Sequence, residues 1–350
     1  MRRVGMLLAA GMMTVMMAAP AAAGDDGPLK LGLILSGETG DLSFYDSANE
    51  GLEALLGSGL DIEGTLLECR YQEESYADNL RYIAENNDMV IAVGWEFWDP
   101  LTELVPEMPD TKFIFIDNGL DGLGDNLMSI TYAQNEGSYL AGYIAASLSE
   151  TGMIGVVGGE QSDTINDFIV GYKAGARLVN EDIKVATLYA NTYNSQAAGK
   201  ELALKLYNGG CDVVFQVAGD TGLGVFDAAA QVGAYAIGVD SDQKYIDPDH
   251  IICSMEKRIN QSIETVVTQY LTEGTWLGGQ IWEADMSEGL VDISYGYGSM
   301  PQQVDDELKA EVEELKQKII DGEIRVPSAF DDKTAGAGTE AAEAAEAATE

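Results

Sequence analysis

The residues able to do chemistry gather where apolar runs give way to turns. Asp117 closes the run KFIFID and Asp240 closes AIGVD. A carboxylate at such a place can accept two hydrogen bonds, from vicinal hydroxyls or from the edge of a base. The same acid can instead cap a helix or orient an Asx turn. After DVVFQVAG comes Gly219-Asp220-Thr221-Gly222-Leu223-Gly224, a turn whose glycines let backbone N–H groups approach a ligand oxygen at a helix start. It has neither the Gly-Lys-Ser/Thr ending of a P-loop nor the GxGxxG spacing, so a tight structural turn is the competing reading. Lys257 follows IICSM in a chain poor in basic residues. A lone lysine is usually a solvated charge; placed at a helix start, where the dipole does not favour a cation, it also suits a specific partner. Phe44 and Phe168, each at a turn-to-helix entry, suit a clamp on a flat ring. Stacking of this kind contributes ~1–3 kcal/mol per base in nucleic-acid complexes; ordinary core packing is the alternative. Trp95 and Trp98 follow MVIAVG and belong to the same set of strand ends.

Catalytic machinery is scarce. His250 is the only histidine, in DPDHII, with no nucleophile beside it. GxSxG, HExxH and CxxC are absent. The stretch from Asp240 to Ile251 resembles a calcium loop, but its sixth position is Tyr245 and its twelfth is Ile251, where glycine and glutamate are required. No metal site and no cofactor are expected.

The elements that must position these residues alternate. LKLGLIL, TLLECRY, MVIAVG and KFIFID are strand-like, with helical spacing over 43–56 and 76–86. This order predicts right-handed βαβ units and parallel sheets. NLMSITY and the helix EGSYLAGYIAASLSE break the rhythm, which restarts with MIGVVGG, a helix over 164–180, KVATLYA, a helix over 195–208, DVVFQVAG, a helix over 224–233 and AYAIGVD. Two such blocks predict two α/β lobes with a cleft between them. A helix over 260–272, a strand in LVDISYGYG and an amphipathic helix over 305–322 complete the reading.

Arg2 and Arg3, an apolar run over 4–20 and Ala21-Ala22-Ala23 form a secretory signal, followed at once by acidic GDDG. No other stretch approaches the ~18 apolar residues of a membrane span. Roughly 320 residues remain after the signal, suited to two domains rather than one core. Cys69, Cys211 and Cys253 are an odd number without metal-ligand spacing and are expected as buried free thiols. Nineteen Lys and Arg against 59 Asp and Glu give a net charge of −40. That surface repels nucleic-acid polymers and disfavours phosphorylated anions, while nucleosides, sugars, amides and cations remain admissible. The closing TAGAGTEAAEAAEAATE is low in complexity with no apolar face, a disordered tail by composition.

Read in order, GDLSFYDSANEGLE, FIFIDN, YLAGYIAA, IGVVGG with FIVGYKAGAR, VAGDTGLGV, GVDSDQ, SMEKR and IIDGEIRVP resemble the basic membrane protein (BMP, PnrA-like) family of ABC-transporter substrate-binding proteins, over about residues 29–327. The resemblance implies a type I periplasmic-binding-protein fold, with two Rossmann-like lobes joined by a three-segment hinge. It divides the chain into a signal peptide (1–23), a first lobe (28–133 with about 260–292), a second lobe (134–259 with about 293–328) and an acidic Ala/Glu tail (329–350). It further implies that Phe44 and Phe168 sandwich a base, that Asp117 meets the base edge, and that Gly219, Asp240 and Lys257 hold a ribose. Three departures stand out: Tyr45 takes the place of the family's usual asparagine, Asp220 takes that of a glycine or other small residue, and no lipid-attachment cysteine follows the signal. Asp220 is therefore expected near the ribose, inviting extra hydroxyls or a cationic group, and Tyr45 near the base; Trp95 is expected to line the same cleft.

Together these readings predict an exported, monomeric binding protein for a nucleoside-like small molecule, closing about a hinge and docking on an ABC permease. It is placed in the periplasm or on the extracellular face of the cell envelope, without a lipid anchor. A sensory protein of the same fold, taking a sugar or other small polar ligand, is the alternative. A nucleoside hydrolase using the Asp117/Asp240 region is the remaining one.

Overall fold

The computed structural model describes residues 27–331. The expected signal peptide and most of the expected tail lie outside them. The first half runs β1 (Leu29–Leu35), α1 (Phe44–Gly57), β2 (Ile62–Glu68), α2 (Tyr76–Asn86), β3 (Met89–Val93), α3 (Trp98–Leu104), β4 (Lys112–Ile116) and β5 (Leu127–Tyr132). After α4 (Gln134–Leu148) come β6 (Met153–Gly158), α5 (Asp163–Val179), β7 (Lys184–Tyr189), α6 (Gln196–Asn208), β8 (Val213–Val217), α7 (Asp220–Val232), β9 (Tyr235–Asp240) and β10 (Ile251–Lys257). Then follow α8 (Ile259–Glu273), β11 (Ile281–Ala284), β12 (Val291–Ser294) and α9 (Asp306–Ile320).

Two six-stranded sheets result, ordered β11-β5-β4-β3-β1-β2 and β12-β10-β9-β8-β6-β7. All pairings are parallel except β10 with β12. Helices cover both faces of such sheets, so central strands are apolar on both sides. Every residue of β3 and of β8 is buried, which is why both read as unbroken apolar runs. Within each sheet the order reverses beside the first strand: β1 lies between β2 and β3, and β6 between β7 and β8. The crevice at such a switch point, outside the carboxyl ends of the strands, is where α/β sheets bind ligands.

The chain passes from one sheet to the other between β5 and β6, between β10 and β11, and between β11 and β12. Strand β12 starts at Val291 in the second sheet, two residues before the expected change of lobe. Helices α4 and α5 pack against each other beside the second sheet, and their close approach requires missing side chains. A Cβ at Gly175 would lie 1.8 Å from the Tyr139 carbonyl oxygen, and one at Gly142 2.0 Å from that of Tyr172. The three cysteines are buried free thiols, as their composition and setting predict. Residues 329–331 do not begin a loose tail. Ser328 Oγ and Ala329 N both donate to Asp167 Oδ1, at 2.7 and 2.9 Å, which binds this segment to α5. The apparent calcium loop carries its own cation: the buried Lys244 ammonium donates to the carbonyls of Pro248 and Ile251 and to Gln303 Oε1.

Candidate functional site

A cavity of about 760 Å³ opens between the lobes at the carboxyl ends of both sheets, within the usual size range of small-molecule sites. Phe44, Tyr45, Trp95, Asp117, Phe168, Gly219, Asp240 and Lys257 all line it, together with Trp98. Asp220 does not. It opens α7, and its Oδ1 accepts a 2.7 Å hydrogen bond from Gln196 Nε2 on α6, so the carboxylate expected beside the ligand faces a neighbouring helix.

Lys257 is the electrostatic centre. It ends β10 rather than starting a helix, because the strand runs on through Glu256 and Lys257 to pair with β12. Its ammonium is 2.8 Å from Asp117 Oδ1 of the first lobe and 3.8 Å from Asp240 Oδ1 of the second. It also lies 5.0, 5.2 and 5.5 Å from the ring centroids of Phe44, Phe168 and Tyr132, within cation–π range. Lys257 is 2% exposed and Asp240 6%, and charges so deeply buried persist only when paired. Burial pushes the Asp240 carboxyl above the usual range, against the lowering effect of Lys257 and of the Ser43 hydroxyl that donates to its Oδ2.

Both strand-end acids sit in the left-handed backbone region, Asp117 at φ 72° and Asp240 at φ 64°. That conformation is uncommon outside glycine, although aspartate tolerates it better than most residues. It is a known mark of residues aimed by their surroundings at a functional site.

The loop before α1 ties the lobes. Gln243 Nε2 donates to the Leu42 carbonyl at 2.9 Å, and Ser43 bonds Asp240. Asp41, which the sequence reading missed, caps α1 from two residues before its N-cap. Its Oδ1 accepts from Ser43 N and Asp46 N and its Oδ2 from Tyr45 N, each at 3.0–3.1 Å. Burial pushes the Asp41 carboxyl up to about 7 in spite of these three donors. Tyr45 is 6% exposed, and its hydroxyl bonds Ser36 Oγ at 2.9 Å, back in the first lobe. Glu96, Gln134 and Tyr193 also line the cavity and escaped the sequence reading.

The glycine-rich stretch differs from its expected form. Gly219, at φ 54°, is the N-cap, and α7 begins at Asp220. Gly224 lies inside the helix, where a Cβ would meet the Gln196 carbonyl oxygen of α6 at 1.9 Å. Its glycine serves helix packing, and Gly219 alone faces the cavity.

Two lobes with parallel-dominated sheets and a cleft at their carboxyl ends define a type I periplasmic-binding-protein fold. Among solved structures, a solute-binding protein of an ABC transporter system from Aeropyrum pernix K1 superposes with a TM-score of 0.77. It is 26% identical, and the match covers 86% of this chain and 94% of that one. An ABC-transporter solute-binding protein from Conexibacter woesei shares the fold with a TM-score of 0.71 at 23% identity, over 87% of this chain and all of that one. Residues 29–329 match the family model described as ABC transporter substrate-binding protein PnrA-like (Bmp), and the chain belongs to that family. Basic membrane protein A of Borreliella burgdorferi is 34% identical over 85% of this chain and 88% of its own length. The CD4+ T-cell-stimulating antigen of Listeria monocytogenes is 31% identical over 83% and 86%. Membership implies a small-molecule ligand and a membrane permease as partner, and these family and structural neighbours are solute-binding proteins. No helix among the described residues is long and apolar enough to cross a membrane.

Proposed function

We propose that this protein binds a nucleoside in the interlobe cavity and delivers it to an ABC importer at the outer face of the membrane. The observation that carries the reading is the arrangement around Lys257: one aromatic ring from each lobe and one strand-end carboxylate from each lobe converge on one buried ammonium. Phe44 and Phe168 serve as the base clamp. Asp117 meets the base edge. Asp240, Lys257 and the backbone of Gly219 receive the ribose hydroxyls, which can donate to the carboxylate and accept from the ammonium.

Because each lobe supplies half of these contacts, the closed form binds more tightly, and the ligand shifts the population toward it. The permease then recognises the closed form. The leader peptide exports the chain, which works as a monomer, and the substrate undergoes no chemistry.

Calorimetry of the refolded, ligand-stripped protein against purine and pyrimidine nucleosides tests the reading. Binding of at least one nucleoside is expected. Phe44 is only partly buried, so Phe44→Ala removes a clamp wall without opening the core. It should weaken binding by roughly 5–150-fold, the equivalent of ~1–3 kcal/mol of stacking. No heat from any nucleoside at ligand concentrations up to ~1 mM, where even Kd values weaker than micromolar register, would sink the nucleoside assignment.

A further inference from the structure

The cavity wall is short of donors and long on acceptors, and the shortage has an address. Most of its buried carboxylates are already engaged. Asp41 accepts three backbone N–H groups. Asp167 accepts from Ser328, Ala329 and Gln134. Asp117 and Asp240 share Lys257, the one cation among the described lining residues. Two buried side-chain atoms of lining residues have no hydrogen-bond partner, Glu96 Oε2 and Gln134 Oε1, and both are acceptors.

Glu96 is the better placed of the two to read a base. It follows β3, which lies between β4, ending before Asp117, and β1, leading to Phe44. Its carboxylate therefore stands on the sheet edge between the base-edge acid and the first clamp ring. Tyr45, the neighbouring side chain at that end, has turned its hydroxyl to Ser36. The Ser36 hydroxyl lies beside Glu96 as well and lowers its carboxyl, yet it bonds Tyr45 at 2.9 Å and leaves Oε2 without a partner of hydrogen-bond geometry. Burial raises the Glu96 carboxyl, against the lowering effect of its own backbone N–H and of Ser36, and Glu160 of the facing lobe adds to the rise. A donor from the ligand would relieve both penalties, since leaving such a group unpaired costs more than a neutral hydrogen bond returns.

We infer that Glu96 is a specificity residue that selects purine nucleosides bearing an exocyclic amino group, whose N–H it accepts. The inference rests on the nucleoside reading. An ionised carboxylate has only acceptors, so it rewards each added donor at the base edge and gives nothing to a bare ring C–H.

Two ligand pairs differ by one amino group: guanosine against inosine, and adenosine against purine riboside. In at least one pair the amino-bearing member should bind roughly 10-fold or more tightly, as charged hydrogen bonds of ~1.5–3 kcal/mol require. Glu96→Met keeps the bulk and removes the acceptors. It should bring that ratio to within about two-fold while the weaker member of the pair keeps its affinity. Keeping that affinity also shows that the variant is folded and its clamp intact. Equal affinities within both pairs in the parent protein, or a ratio that survives Glu96→Met, would overturn the role of Glu96 and leave the nucleoside reading standing. Failure of all four ligands to bind would take down both.

Discussion

Replacing Lys257 by methionine, which keeps the length of the side chain and deletes its charge, isolates the electrostatics of the cleft. With an effective dielectric constant near 20, the ammonium attracts Asp117 at 2.8 Å by about 6 kcal/mol and Asp240 at 3.8 Å by about 4 kcal/mol. Desolvation of three buried charges and repulsion between the two acids offset most of that sum. The cost of removing one partner from such a buried group is ~3–5 kcal/mol, because the remaining charges are left without compensation. At about 2–4 °C per kcal/mol for a domain of this size, the ligand-free variant should melt roughly 6–20 °C lower at pH 7.5. The loss must depend on pH. The folded-state carboxyl of Asp240 already lies above its ordinary value, with burial raising it and Lys257 opposing, and the substitution removes the opposition. A raised folded value contributes stability that is present below the unfolded value near 4 and is lost as pH rises through the folded value. The gap between parent and variant should therefore narrow from pH 7.5 toward pH 5, and Lys257→Met/Asp240→Asn should recover part of the loss at neutral pH. Differential scanning calorimetry at the two pH values reads both effects. A variant melting within 2 °C of the parent at pH 7.5, or a gap of equal size at both, would refute the coupling of these three side chains.

Three further outcomes can be checked on the same material. Asp41, held up to about 7 by burial, contributes stability that falls by about 1.4 kcal/mol per pH unit between pH 5 and 7 and is gone above that; the difference in urea unfolding free energy between parent and Asp41→Asn should follow that slope and flatten by pH 8. Asp220→Ala, which loses only the bond to Gln196, should leave ligand affinity within about two-fold by calorimetry, and a larger drop would return Asp220 to the cavity. Gly175→Ala drives a methyl group into the Tyr139 carbonyl and should cost at least ~1–3 kcal/mol, seen as a lower melting temperature without any change in the composition of the cavity.

What the sequence disclosed follows the physics of parallel sheets. Strands buried on both faces carry apolar runs, so β3, β8 and β9 announce themselves, and their last residues are candidates for ligand contact by position alone. Asp117, Asp240, Phe44 and Phe168 could be picked out in this way. Strand β11 could not. Its four residues Ile281–Ala284 are largely exposed and gain their place by pairing with β5, some 150 residues earlier in the chain. Lys257 was assigned to a helix because a charged pair, Glu256-Lys257, closes its run, whereas the antiparallel partner β12 extends the strand through both residues.

The harder loss concerns the acids. In a chain with 59 of them, a carboxylate carries almost no information by type, and spacing adds little. Burial and pairing separate them. Asp220 stands in a glycine-rich turn that suggests a ligand and yet faces Gln196, while Asp41 and Glu96, passed over beside the aromatics Phe44 and Trp95, line the cavity. A motif reports where the backbone turns, and only the partners of a side chain report what it still needs. Asp41 has its three donors, Asp117 and Asp240 have their ammonium, and the sealed oxygen of Glu96 has none. The acid that no motif marks is thus the one with the most to gain from a ligand.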